Sequence, residues 1–182
     1  CTSAWDFLTG NAAVGEEVLI YDGTGRHPAL QCSKHAATSG AKTTLVSIDG
    51  EMAAELTYAE RAIWKQNIYE AGVNMTFDHR LIRIEKDGNR LTATLTNEAT
   101  GQIAERTVDQ VVVEHGTIPA DDLYHSLREH SGNNGVTDLD TLLSNARQPT
   151  GAGFELHRIG DAVASRNIAA AVYDALRLCH VM

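Results

Sequence analysis

The chain has 182 residues, 43% of them hydrophobic, and a formal net charge of −9 at pH 7. That length and apolar content suffice to bury a core and favour one domain, or one domain with part of another. An acidic balance without any block of Lys or Arg excludes phosphate-tracking nucleic-acid binding, which needs clustered cations.

No stretch approaches about 18 uninterrupted apolar residues, and the opening CTSAWDFLTG lacks the zones of a signal peptide. The expectation is a soluble, cytoplasmic protein that neither enters a membrane nor binds nucleic acid. Cys1, Cys32 and Cys179 are too few and too scattered for a disulfide framework or a zinc site. Because the chain opens on Cys1 instead of Met, it reads as a piece of a longer polypeptide.

In chain order, EEVLIYDG is a short apolar run that ends in glycine, and ALQCSKHAATSG follows at helical spacing with Gly40 placed for a left-handed cap. KTTLVSIDG then completes strand, helix and strand within the length of a crossover unit, which predicts a parallel sheet. TYAERAIWKQNIYEAG predicts a helix with Ala59, Ile63, Trp64 and Ile68 on one face, Thr57 as N-cap and Glu60 closing a capping box. VNMTFD is the third strand of a βαβαβ half-sheet.

From Arg80 the apolar period changes to two, with turns at Asp87-Gly88 and near Gly101, which predicts a three-stranded antiparallel meander. DQVVVEHG returns as a buried strand. Residues 120–153 are polar and glycine-bearing, with SGNNG as a loop and LDTLLSNA as a short helix. The chain closes on a strand at Phe154–Ile159, the pair Gly160-Asp161 and a helix over Asn167–Leu178. Cys32, Cys179 and Trp64 read as core.

Two places carry candidate nucleotide chemistry. In VLIYDGTGRHPA, a G-x-G-x-x-G reading with Gly23 and Gly25 as its first glycines puts Pro28 third, where a ring adds bulk and an amide donor is lost. With the strand ending at Tyr21, Asp22 takes the first position and sets a carboxylate where a pyrophosphate would come. Asp49, 24 residues after Gly25 at the end of the second strand, is either a ribose-binding acid that favours NAD over NADP, or the start of a turn with Gly50. In IGDAVASRN, Asp161 after Gly160 is a nucleotide-facing acid, an N-cap, or both. Gly116 permits close backbone approach in EHGTIP, and Glu114 and His115 read as turn residues, since no nucleophile or ligand spacing accompanies them.

The ordered set VLIYDGTG, VVVEHGTIPADDLYHSL and IGDAVASRNIAAAVYDALR resembles the carboxy-terminal region of the NADH:flavin oxidoreductase and trimethylamine dehydrogenase-like family, with YD before a loop glycine most similar to its amine-demethylating branch. The resemblance implies a three-layer, glutathione-reductase-like α/β fold, a central parallel sheet with the meander inserted. It divides the chain into an NAD(P)-binding-type domain at 14–118 and a partial FAD- or ADP-binding-type domain at 1–13 and 119–182. By the same resemblance Asp161 is the flavin- or ADP-facing acid. FMN and an iron–sulfur cluster would sit on an upstream barrel of the same polypeptide, with an electron-transfer flavoprotein or NADH as redox partner and a homo-oligomer as the assembly. The chain alone would not turn over, and NAD(H) would bind weakly, if at all.

Overall fold

The computed structural model describes residues 1–149 and 151–180. At its centre is β2 (Glu17–Asp22), whose Val18, Leu19, Ile20 and Tyr21 are all buried. An unbroken apolar run of this kind suits a strand covered on both faces. It pairs in parallel with β3 (Lys42–Ser47) on one side and β8 (Gln110–Glu114) on the other. The short strands β1 (Thr2–Ser3) and β4 (Asn74–Thr76) complete the parallel order β1-β8-β2-β3-β4.

Alternation along β2 assigns its two faces. Val18 and Ile20 pack with Ala4 and Phe7 of α1 (Ala4–Leu8), Ala29, Leu30, Cys32 and Ala36 of α2 (His27–Thr38), and Ile68 of α3 (Tyr58–Glu70). Leu19 and Tyr21 pack on the opposite side with Ala93 and Leu95. Those two belong to the meander β5 (His79–Asp87), β6 (Arg90–Asn97) and β7 (Ile103–Val108), a separate antiparallel sheet. Helices, parallel sheet and meander are the three expected layers. Fully burying a side chain such as Ile20 contributes about 1.5–3 kcal/mol.

The helices follow their local signals. Pro28 sits in the first turn of α2, where its missing amide costs nothing, and Gly40 closes the end at φ +93°. At α3 the capping box is complete: Thr57 Oγ1 accepts from the Glu60 amide, and the Glu60 carboxylate accepts from Thr57. The inward stripe of α3 is Trp64 and Ile68, continued by Ala71 at its C-cap, so Ile63 (63% exposed) and Ala59, expected on the buried face, point to solvent. Ile63 lies one position and Ala59 five positions before Trp64, and at about 100° per step both fall well off that stripe.

Contacts divide the chain into a first unit, Cys1–Gly116, and a second that begins at Thr117. Residues 1–13, expected with the second, belong to the first, because β1 pairs with β8 and Phe7 lies in its core.

The second unit holds α4 (Asp122–Leu127), α5 (Leu139–Leu143) and α6 (Ile168–Cys179), the last capped by Asn167. It has no strand among the described residues, which corrects the strand expected at Phe154–Ile159. Among the described residues the segment is held instead by one backbone bond, Gly132 N–H to Phe154 O at 2.8 Å, by the Asn133 amide, which accepts from Leu156 N and donates to Leu156 O, both at 2.9 Å, and by the contacts of His157 with Thr137 and of Arg158 with Asp121. Gln148 treats Asp138 alike, accepting from its N–H at 2.8 Å and donating to its carbonyl at 3.0 Å. Cys179, expected in the core, is exposed, because Leu178 takes the one inward position at that end of α6. No helix among the described residues is long and apolar enough to cross a membrane.

Candidate functional site: the switch point between β2 and β8

β2 continues through β3 to β4 on one side, while its other neighbour is β8, so the strand order reverses between β2 and β8. In open parallel sheets, ligands bind outside the carboxyl ends of the strands at such a point. Here those ends are Asp22 and Glu114, which are register partners.

Both acids are buried, and both turn back onto the loops that follow them. Asp22 is 0% exposed, and its Oδ1 accepts from Gly25 N at 2.8 Å and from Thr24 N at 3.0 Å. Its Oδ2 is buried without a hydrogen-bond partner. Burial pushes the Asp22 carboxyl above the usual carboxylate range, against the lowering by the Thr24 and Gly25 amides, and nearby Asp49 pushes it further up. Glu114 Oε1 accepts from Gly116 N at 2.8 Å.

The glycines are set by close approach. A Cβ on Gly23 would lie 2.8 Å from His115 Nδ1 and 3.1 Å from Glu114 O, the oxygen that accepts the Gly23 amide. Gly25 has φ +64°, and its Cβ would lie 2.8 Å from Asp49 Oδ2. Gly116, at φ +82°, faces the Thr24 methyl. The structure thus brings Gly23, Gly25, Asp49 and Gly116 together at one end of the sheet. Asp49 is half-buried, its pKa raised first by burial and then by Glu55 and Glu51. The exposed His115 ring rests on Tyr21, with 5.1 Å between centroids.

A pyrophosphate needs free amides, and those of Thr24, Gly25 and Gly116 are already taken by carboxylates of the chain itself. It would also meet the carboxyl groups of Asp22, Asp49 and Glu114. The residues at this point do not fit a dinucleotide diphosphate. Sequence reasoning placed Asp22 in the loop but missed Glu114 as its counterpart. The available signal was that both central strands, VLIYD and VVVE, end on an acid.

Gly160 and Asp161 lie in the second unit. Gly160 forms a tight turn at φ +58°, where a Cβ would press on Ala171 at 3.2 Å, and its amide donates to Asp174 at 3.1 Å. Asp161 is exposed, and α6 begins only at Ile168 with Asn167 as its cap, which corrects the N-cap reading of Asp161. Cys32 is inert by placement: burial, followed by Glu114, pushes its thiol up to about 12. Among the described residues no group of His, Cys, Asp and Glu is placed to hold a metal ion.

A five-stranded parallel sheet with helices on one face, a meander on the other and glycine turns at the switch point defines a dinucleotide-binding-type region of the flavoprotein reductase kind. No family model matches. The chain is 41% identical over 180 residues to a probable N-methylproline demethylase of Rhizobium meliloti, covering 97% of this chain and 26% of that protein. It is 38% identical over 185 residues to the N,N-dimethylglycine/sarcosine dehydrogenase of Chromohalobacter salexigens, covering 97% and 27%. Among solved structures, histamine dehydrogenase from Rhizobium sp. 4-9 superposes with a TM-score of 0.73 at 19% identity, over 98% of this chain and 25% of that one. Thioredoxin reductase of Lactococcus lactis gives 0.62 at 18%, over 94% and 53%. Over nearly its whole length the chain is similar to one region of these demethylases and dehydrogenases, and it spans about a quarter of the length of the curated relatives it matches.

Proposed function

We propose that this chain is the dinucleotide-binding-type module of a longer flavin-dependent oxidoreductase that dehydrogenates or demethylates an N-methylated amine, and that its first glycine loop holds no tight nicotinamide dinucleotide. The oxidoreductase reading is supported by identities of 36–41% to demethylases and dehydrogenases over nearly the whole chain. The observation that carries the second half is the Asp22 carboxylate seated on the Thr24 and Gly25 amides. FAD or ADP is assigned to the completed second unit, with Gly160 and Asp161 at its phosphate or ribose. FMN, the iron–sulfur cluster and the amine belong to an upstream barrel. An electron-transfer flavoprotein as electron acceptor, a homo-oligomeric state and a cytoplasmic location complete the proposal.

A second reading, a docking module without any nucleotide, is favoured by the apolar residues left exposed on α6, including Ile168 at 85% and Leu176 at 63%. Calorimetry of ADP, FAD and NADH against the full-length protein and against this chain separates the two. ADP or FAD binding to the full-length protein, with NADH silent on the chain, supports the module. No nucleotide binding anywhere supports the docking reading, and micromolar NADH binding to the chain overturns the assignment of the loop. Replacing Asp22 and Pro28 together with glycine frees the cradle. Loss of roughly 1–3 kcal/mol of charge-assisted bonding corresponds to about one to two decades of affinity that the variant should regain.

A further inference from the structure

A cleft of about 450 Å³ lies in the first unit between α3, the edge strand β4 and the Gly50–Met52 loop that follows Asp49. Its floor is apolar: Met52 is buried, and Met75 and Phe77 are half-buried. One stripe of α3 forms its wall, with Tyr58, Ala62, Lys65 and Tyr69 at i, i+4, i+7 and i+11. This stripe is distinct from the core stripe through Trp64 and Ile68, so α3 carries two apolar faces and only one is covered. Tyr58 and Tyr69 are 83% and 60% exposed, two large rings standing in water beside a preformed hollow.

We propose that this cleft binds a planar aromatic monocarboxylate. Its volume falls within the roughly 300–1,000 Å³ of small-molecule sites, and an apolar floor flanked by two phenol rings suits a flat ring system. The charge complement selects the anion. Arg61 is neutralised by its ion pair with Glu51, whereas Lys65 has no ion-pair partner among the described residues and remains the one uncompensated charge at the wall. A compact ammonium matches a single carboxylate. A polyanion exceeds the single unpaired ammonium and is opposed by Asp78, whose Oδ1 lies 3.1 Å from where a Cβ on Gly50 would sit. The site rests on no part of the flavin reading and stands or falls separately from it.

Met52 and Met75 are two of only three methionines in the sequence, so methyl-labelled methionine NMR on the whole chain reports on the cleft directly. Titration with 1-naphthoate should shift both resonances saturably, and 1-naphthylmethylammonium, its charge-reversed counterpart, should bind more weakly. Lys65→Gln should weaken naphthoate by roughly fivefold, the upper range of an exposed charge pair, and abolish the preference for the anion. Tyr69→Ala should weaken both ligands, and an unchanged far-ultraviolet circular dichroism spectrum and unfolding midpoint show that each variant retains its fold. The proposal is overturned if neither methionine shifts saturably, if the cation binds as tightly as the anion, or if Lys65→Gln leaves the preference intact.

Discussion

In the first unit β2 pairs with β3 and β8 along its length, and Leu19, Ile20, Leu45 and Val112 have no exposure at all. The second unit has no ladder among the described residues, and Leu178 is the only buried large aliphatic found there. Its extended segments are paired by Asn133 and Gln148, whose carboxamides present one acceptor and a donor group in a plane, the same pattern as a peptide. A carboxamide satisfies one residue and stops there. A strand satisfies a row and creates a face for other side chains to cover. Turns can therefore be fixed by side chains, but a hydrophobic layer cannot, and α6 keeps Ile168, Val172, Tyr173 and Leu176 exposed.

The contrast breaks most readily with matched truncations. Ile20→Ala, at a fully buried site, should cost about 2–5 kcal/mol in urea unfolding of the first unit. Leu176→Ala, at 63% exposure, should move the stability of the same chain by no more than about 0.5 kcal/mol. Comparable losses would mean that α6 is covered in solution.

Next in size come the carboxamides. Asn133→Ala or Gln148→Ala removes both bonds to one residue and should reduce local protection by about 1–3 kcal/mol. Hydrogen exchange reads this at the amides of Leu156 and Asp138, with β2 unchanged. Faster exchange in β2 as well would show that the two units open together.

A smaller effect sharpens the comparison from the side of the sheet. Burial holds the Asp22 carboxyl above its ordinary range, so the folded chain binds that proton more tightly than the unfolded one does. The folded state is favoured at low pH, and it loses this advantage as pH rises from the unfolded pKa of about 3.9 through the folded value. Asp22→Asn keeps an acceptor for the Thr24 and Gly25 amides and cannot ionise. The stability of the variant relative to the parent chain should climb across that window by about 1.4 kcal/mol for each unit of elevation, then level off. A flat difference would show that Asp22 ionises as readily folded as unfolded.

Much of the first unit was legible because its signals are local. The unbroken VLIY run, the Thr57–Glu60 box and the Gly88 and Gly101 turns each specify their own element. Errors arose where a second layer decides. Ile63 looks like a core residue until Trp64 and Ile68 define the stripe, and Phe154–Ile159 has strand-like residues but no neighbouring strand. The positions of Gly23, Gly25 and Asp49 just past the carboxyl ends of their strands were legible. The Asp49 carboxylate pressed against Gly25, and Glu114 matched in register to Asp22, depend on contacts between distant segments that no local pattern encodes.

The smallest expected effect on the chain itself is at Asp161, and its smallness is what makes it informative. The carboxylate is exposed, and the neighbouring Gly160 amide is already taken by Asp174, which also pairs with Arg166. Asp161→Asn therefore removes no contact that supports the turn, and the unfolding midpoint of the chain should not move beyond error. Asp174→Asn, by contrast, weakens a paired carboxylate and should loosen exchange at Gly160. If Asp161 faces a ribose or a flavin in the full-length protein, the same silent substitution removes a charge-assisted bond worth about 1.5–3 kcal/mol and weakens ADP or FAD by roughly ten- to a hundredfold. A full-length variant with unchanged ADP and FAD affinity would leave Asp161 a surface residue and move the weight to the docking reading. A variant that unfolds early would show instead that the second unit relies on this carboxylate in a way its exposure gives no sign of.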